Sequence, residues 1–134
     1  IRAEILSLMR SLQSKYGITM IYITHDIATA KYLADKILVM YAGKMVEYGP
    51  FRDVIKEPLH PYTQALIEAL PDPDPTNRFK IRKVPPGEPP SLINPPGGCR
   101  FHPRCPLVIK GKCEREEPRL VEKKPGHLVS CWLY

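Results

Sequence analysis

Proline divides this chain. Of its 16 prolines none precedes Pro50, and nine fall between Pro71 and Pro96. Proline fixes φ and has no N–H to donate, so it breaks helix interiors and central strands. The stretch before Pro50 is therefore free to be regular structure throughout, whereas residues 71–98 read as an extended connector. Beyond the connector the character of the chain changes again: all four cysteines lie between Cys99 and Cys131.

Before the connector the hydrophobic pattern is that of an α/β protein. Ile5, Leu8, Met9 and Leu12 recur at i, i+3, i+4 and i+7, which predicts an amphipathic helix over 2–16. Gly17 stops it, since glycine takes positive φ without strain. Ile18–Thr24 is a nearly continuous apolar and β-branched run, the pattern of a parallel strand buried on both faces. Asp26 is placed to cap a helix over about 27–34 by accepting a backbone N–H. Lys36–Tyr41 and Met45–Tyr48 flank the turn Ala42-Gly43-Lys44 and read as a hairpin. Two short helices come next, Phe51–Lys56 and Pro61–Leu70, the second with Tyr62, Ala65, Leu66 and Ala69 on one face. Residues 99–134 show little periodicity and are expected to be irregular. No apolar run approaches the roughly 20 residues that span a bilayer. The chain begins Ile1-Arg2-Ala3-Glu4, without Met or a signal-peptide pattern, and is read as the interior of a longer protein.

The formal net charge of +6 is uneven. Residues 1–70 carry 8 Lys and Arg against 7 Asp and Glu, and residues 71–134 carry 12 against 7. A basic half suits a solvated surface, an anionic partner, or compensation of a buried anionic site. The gaps between Cys99, Cys105, Cys113 and Cys131 are 5, 7 and 17 residues. None is the short knuckle of structural zinc sites, and none matches ferredoxin spacing. Spacing gives four thiols without choosing a metal, and free cysteines or two disulfides stay open. His102 and His127 are alternative ligands.

Three segments carry a resemblance. Thr24-His25-Asp26, then Asp35-Lys36-Ile37, then Gly43-Lys44-Met45-Val46-Glu47-Tyr48-Gly49 resemble, in order and spacing, the end of an ATP-binding-cassette (ABC) ATPase. Pro58-Leu59-His60-Pro61-Tyr62-Thr63-Gln64-Ala65-Leu66 resembles the extension of its oligopeptide and dipeptide importer branch. Gly98-Cys99-Arg100-Phe101-His102-Pro103-Arg104-Cys105-Pro106 resembles the cysteine-rich tail of that branch. The resemblance implies the C-terminal part of a P-loop NTPase sheet with helices (1–57), a His-Pro-Tyr helix and proline-rich linker (58–98), and an irregular cysteine-rich tail (99–134).

It also implies roles. His25 is the switch histidine that contacts the γ-phosphate of ATP, bound with Mg²⁺ in the full-length protein. Cys99, Cys105, Cys113 and Cys131 are ligands of a [4Fe–4S] cluster, with zinc or an empty site as the alternatives. Arg100, Arg104, Lys110, Lys112 and Arg115 would offset the cluster's negative charge. The implied partners are a second ABC ATPase subunit and transmembrane permease subunits, at the cytoplasmic face of the cell membrane. The sequence holds no glycine-rich loop ending in Gly-Lys-Ser/Thr, so the chain alone is not expected to hydrolyse ATP. An exposed strand edge in a partial sheet predicts self-association. A metal-stapled basic nucleic-acid-binding module is the competing reading. Against it, the basic residues crowd the cysteines and have few aromatics among them for stacking, so no nucleic acid is expected. An electron-transfer domain is a third.

Overall fold

The computed structural model describes residues 2–70 and 85–134. The prolines of the connector that precede residue 85 lie outside the described residues. From 85 to 98 the chain runs through bends with no helix or strand. The described chain forms two units, residues 1–35 and 36–134.

The first unit is a helix pair. Helix α1 spans Arg2–Tyr16 and ends at Gly17, whose φ of +61° is the left-handed turn that glycine permits. Helix α2 spans Ile27–Leu33. Asp26 caps it: its Oδ1 accepts the N–H groups of Ala28 and Thr29 at 2.9 and 3.4 Å. Arg10 ties the helices together by donating to the Leu33 carbonyl at 3.2 Å. Between them Ile18–Thr24 is not the buried strand that its composition predicts. It belongs to no sheet, and Ile21 and Ile23 are each 91% exposed. A strand exists only as part of a ladder. The four described strands are all antiparallel and pair with one another, so none offers this segment a parallel neighbour.

The second unit is built on one sheet. Strand β1 (Lys36–Tyr41) turns at Ala42-Gly43, both at positive φ, into β2 (Lys44–Pro50). Two consecutive positive φ values match the right-handed twist of a tight hairpin. Helices α3 (Phe51–Lys56) and α4 (Pro61–Glu68) come after it. Pro61 opens α4, where a missing N–H costs nothing, and His60 caps it by accepting the Tyr62 N–H on Nδ1 at 3.0 Å.

The tail is less irregular than the sequence predicts. Leu120–Lys124 (β3) and His127–Ser130 (β4) form a second hairpin, and β4 pairs with β2 through Glu47↔Val129 and Tyr48↔Leu128. The sheet order is β1-β2-β4-β3. The end of the chain thus completes the sheet that the first hairpin begins.

The core lies between this sheet, the two helices and the cysteine loop. Val39, Tyr41, Val46, Val54 and Phe101 form it. Phe101 comes from within the cysteine loop and is 1% exposed. Its ring meets Tyr41 edge-on at 5.1 Å and Tyr62 at 5.4 Å between centroids. Full burial of such a side chain contributes about 1.5–3 kcal/mol. Cys99 and Cys105 flank it and pack on the same core.

Candidate functional site

His25 comes after the exposed segment and immediately precedes the cap of α2. The turn around it is held by its neighbours. The Asp26 N–H donates to Thr24 Oγ1 at 3.0 Å, and Thr29 Oγ1 donates to the Asp26 carbonyl at 2.8 Å. The Asp26 carboxylate serves as the cap, and the His25 side chain faces solvent. A solvent-facing imidazole on a fixed turn is free to donate to, or accept from, an incoming group near neutral pH.

The four cysteines occupy the second unit as free thiols. Their backbones are crossed. The Cys99 N–H donates to the Cys113 carbonyl at 2.8 Å. Gly98 makes that approach possible: a Cβ there would stand 2.3 Å from the Cys113 oxygen, and its φ is +62°. Each sulfur receives backbone N–H groups. Cys99 takes them from Phe101 and His102, Cys105 from Leu107, and Cys131 from Leu133. Cys113 Sγ accepts the Ile109 N–H at 3.4 Å. Burial, the largest influence, pushes the thiols of Cys99, Cys105 and Cys131 up, that of Cys131 to about 11. The N–H groups pull the other way, and each of these three thiols feels neighbouring cysteines.

N–H donation to sulfur is what stabilises thiolates in metal and iron–sulfur sites. The donor set therefore fits such a group in kind. In this conformation no three His, Cys, Asp or Glu side chains among the described residues are grouped so as to hold a metal ion.

The cations expected around the cysteines are largely engaged elsewhere. Arg100 donates to the Ala42 carbonyl, clamping the β1–β2 turn. Arg104 donates to the carbonyls of Pro86 and Pro85 at 3.0 and 3.1 Å. The Lys112 ammonium lies 4.1 Å over the Trp132 ring. The two histidines are also committed. His102 Nδ1 is 2.9 Å from the Cys99 carbonyl, and His127 is 0% exposed with Nε2 2.7 Å from Glu47 Oε1.

That last contact belongs to a cluster the sequence did not reveal. Glu47, on β2, is completely buried. Its Oε1 also accepts the Leu59 N–H, and its Oε2 accepts the His60 N–H, both at 2.9 Å. One carboxylate thus joins β2, the start of α4 and the tail hairpin. Tyr134 adds a second tie by donating to the Leu59 carbonyl at 3.3 Å. The only sequence signal was an acid set among Met45, Val46 and Tyr48 in a strand.

Comparison with known proteins gives a consistent result. Residues 46–113 match the family described as the oligopeptide/dipeptide transporter, C-terminal region. A putative peptide import ATP-binding protein of Brucella ovis is 42% identical over 131 residues, covering 98% of this chain and 41% of that protein. The dipeptide transport ATP-binding protein DppD of Caldanaerobacter subterraneus is 43% identical over 133 residues, covering 99% and 40%. A putative oligopeptide transport ATP-binding protein of Bacillus subtilis, YkfD, is 41% identical over 135 residues, covering 100% and 41%. The chain spans about two fifths of the length of these relatives.

Proposed function

The chain belongs to the oligopeptide/dipeptide transporter C-terminal region family, and from that premise we propose that it is the C-terminal part of an ATP-binding subunit of a peptide ABC importer. The observation that carries this is the extent of the similarity. Identity above 40% runs through nearly the whole chain, from the His25 turn to the cysteine tail. The full-length subunit couples ATP binding and hydrolysis, with Mg²⁺, to uptake of oligopeptides or dipeptides. It works with a second ATPase subunit and membrane-spanning permease subunits, peripherally on the cytoplasmic face. No described helix is long and apolar enough to cross a membrane.

In this reading residues 1–57 end the ATPase domain, residues 58–98 form the His-Pro-Tyr segment and linker, and residues 99–134 form the cysteine tail. His25 acts on the γ-phosphate. Phosphoryl transfer needs charge stabilised and the attacking water positioned, and an imidazole does both as donor and acceptor. The turn fixed by Thr24 and Asp26 holds the ring ready for it. The phosphate-cradling loop has no counterpart in this sequence, so the chain alone does not hydrolyse ATP.

Cys99, Cys105, Cys113 and Cys131 would hold a [4Fe–4S] cluster, which supplies one-electron redox chemistry when bound. The backbone N–H groups on each sulfur are what this chain contributes, steadying the thiolates. Phe101 seats the loop that carries Cys99 and Cys105 in the core.

The test is ATP hydrolysis by the full-length subunit, with iron and acid-labile sulfide counted on protein purified without oxygen. Hydrolysis that His25→Ala lowers by about 100-fold or more supports the ATPase reading. An unchanged rate refutes the role of His25. Four irons and four sulfides per chain support the cluster (~4 each for four-thiolate ligation). Zinc alone would refute it.

A further inference from the structure

The four cysteines differ in how they meet solvent. Cys113 is buried, and Cys99 and Cys105 pack on the aromatic core. Cys131 comes directly after β4 and instead lines an open groove of about 600 Å³ together with Glu116, Arg119, Trp132 and Tyr134. That volume lies within the range of small-molecule sites, about 300–1,000 Å³. Its aromatic wall is fixed. Trp132 Nε1 donates to the Glu116 carbonyl at 2.9 Å, and the Lys112 ammonium covers the ring. The Tyr134 N–H donates back to the Cys131 carbonyl at 3.3 Å.

We propose that this groove admits small thiols to the cysteine site, and that Cys131 is the one ligand an external thiol replaces. The inference rests on the thiolate-held cluster proposed for these four cysteines. The other three sulfurs are shut off by burial or by the core, so an external sulfur has a route only to the position of Cys131. A thiol entering there would give up its proton, as Cys131 itself must when it binds metal.

Chemical rescue tests this on the chain reconstituted with iron and sulfide without oxygen. Cys131→Gly should hold iron poorly alone and recover it when 2-mercaptoethanol is added. Cys113→Gly should not recover. Trp132→Ala keeps all four cysteines and opens the groove wall, so 2,2′-bipyridyl should strip its iron about tenfold faster than from the unaltered chain. Equal rescue at both positions, or no rescue at Cys131, overturns the inference. So does wild-type stripping kinetics in Trp132→Ala. If the unaltered chain takes up no iron, the cluster reading itself fails and this inference falls with it. Iron uptake without selective rescue removes only the inference.

Discussion

Replacing Glu47 by alanine removes the acceptor of three buried donors at once. The Leu59 and His60 N–H groups each stand 2.9 Å from its carboxylate, and His127 Nε2 stands 2.7 Å away. Glu47 and His127 are both 0% exposed, so water does not replace the lost oxygens. A buried donor left unsatisfied costs about 1–3 kcal/mol. Removing one partner of a buried, hydrogen-bonded pair costs about 3–5 kcal/mol. Because the three donors share one acceptor their costs are not independent, and the expected loss is about 4 kcal/mol. Domain stabilities are about 5–15 kcal/mol, so the variant should lose a third or more of its margin. Glu47→Gln keeps the shape but offers one oxygen in place of two, and should lose about 2 kcal/mol. Urea unfolding tracked by the fluorescence of Trp132, the single tryptophan, reads this directly at the tail. A double-mutant cycle with His127→Ala should give a coupling of about 1–3 kcal/mol. A loss below about 1 kcal/mol for Glu47→Ala would refute the reasoning, since a cost that small is typical of solvated pairs.

Burial, against the opposing charge of Glu47, lowers the His60 pKa from 6.5 to about 4. As pH falls below 6.5 the unfolded chain takes up a proton that the folded chain refuses. Stability should therefore fall by about 1.4 kcal/mol per pH unit, about 3 kcal/mol in all by pH 4. His60→Asn keeps a capping side chain and should flatten that slope in denaturation measured across this window. Gly98→Ala should disrupt the cysteine loop, because the new Cβ meets the Cys113 oxygen and φ is positive. Hydrogen exchange at the Cys99 amide should rise at least tenfold, and an unchanged rate would contradict the crossed backbone (about 1.4 kcal/mol per tenfold, within the strain of such a site). The exposed Ile21 and Ile23 predict self-association of the isolated chain by its unpaired segment. Light scattering at rising concentration should show it, and Ile21→Lys with Ile23→Lys should abolish it.

Local signals in the sequence were well marked. Gly17, Asp26, the Ala42-Gly43 turn and the His60-Pro61 pair each fix their own backbone, and α1, α2, β1, β2, α3 and α4 fall where those residues put them. What depended on distant partners was less legible. Ile18–Thr24 has strand composition, yet it finds no ladder among the described residues. The hairpin of β3 and β4 was missed because Leu120–Lys124 carries three charged residues in five and His127–Ser130 is too short to show alternation. Its partner is β2, about 80 residues earlier in the chain, a pairing that no local pattern encodes (long-range pairing depends on the assembled core). The cysteines were visible at once, and their enclosure was not. Phe101 between them looked like a lone aromatic among basic residues, whereas it is the plug that seats their loop. Glu47 and His127 read as surface residues in any window, and only the fold buries them against each other.

Peptide uptake tests the central claim most directly. Cells deleted for the full-length subunit should lose import of a labelled oligopeptide or dipeptide. The intact subunit should restore it, and the His25→Ala subunit should not, though it is made in equal amount. Uptake that survives the deletion, or that His25→Ala restores in full, would contradict the account.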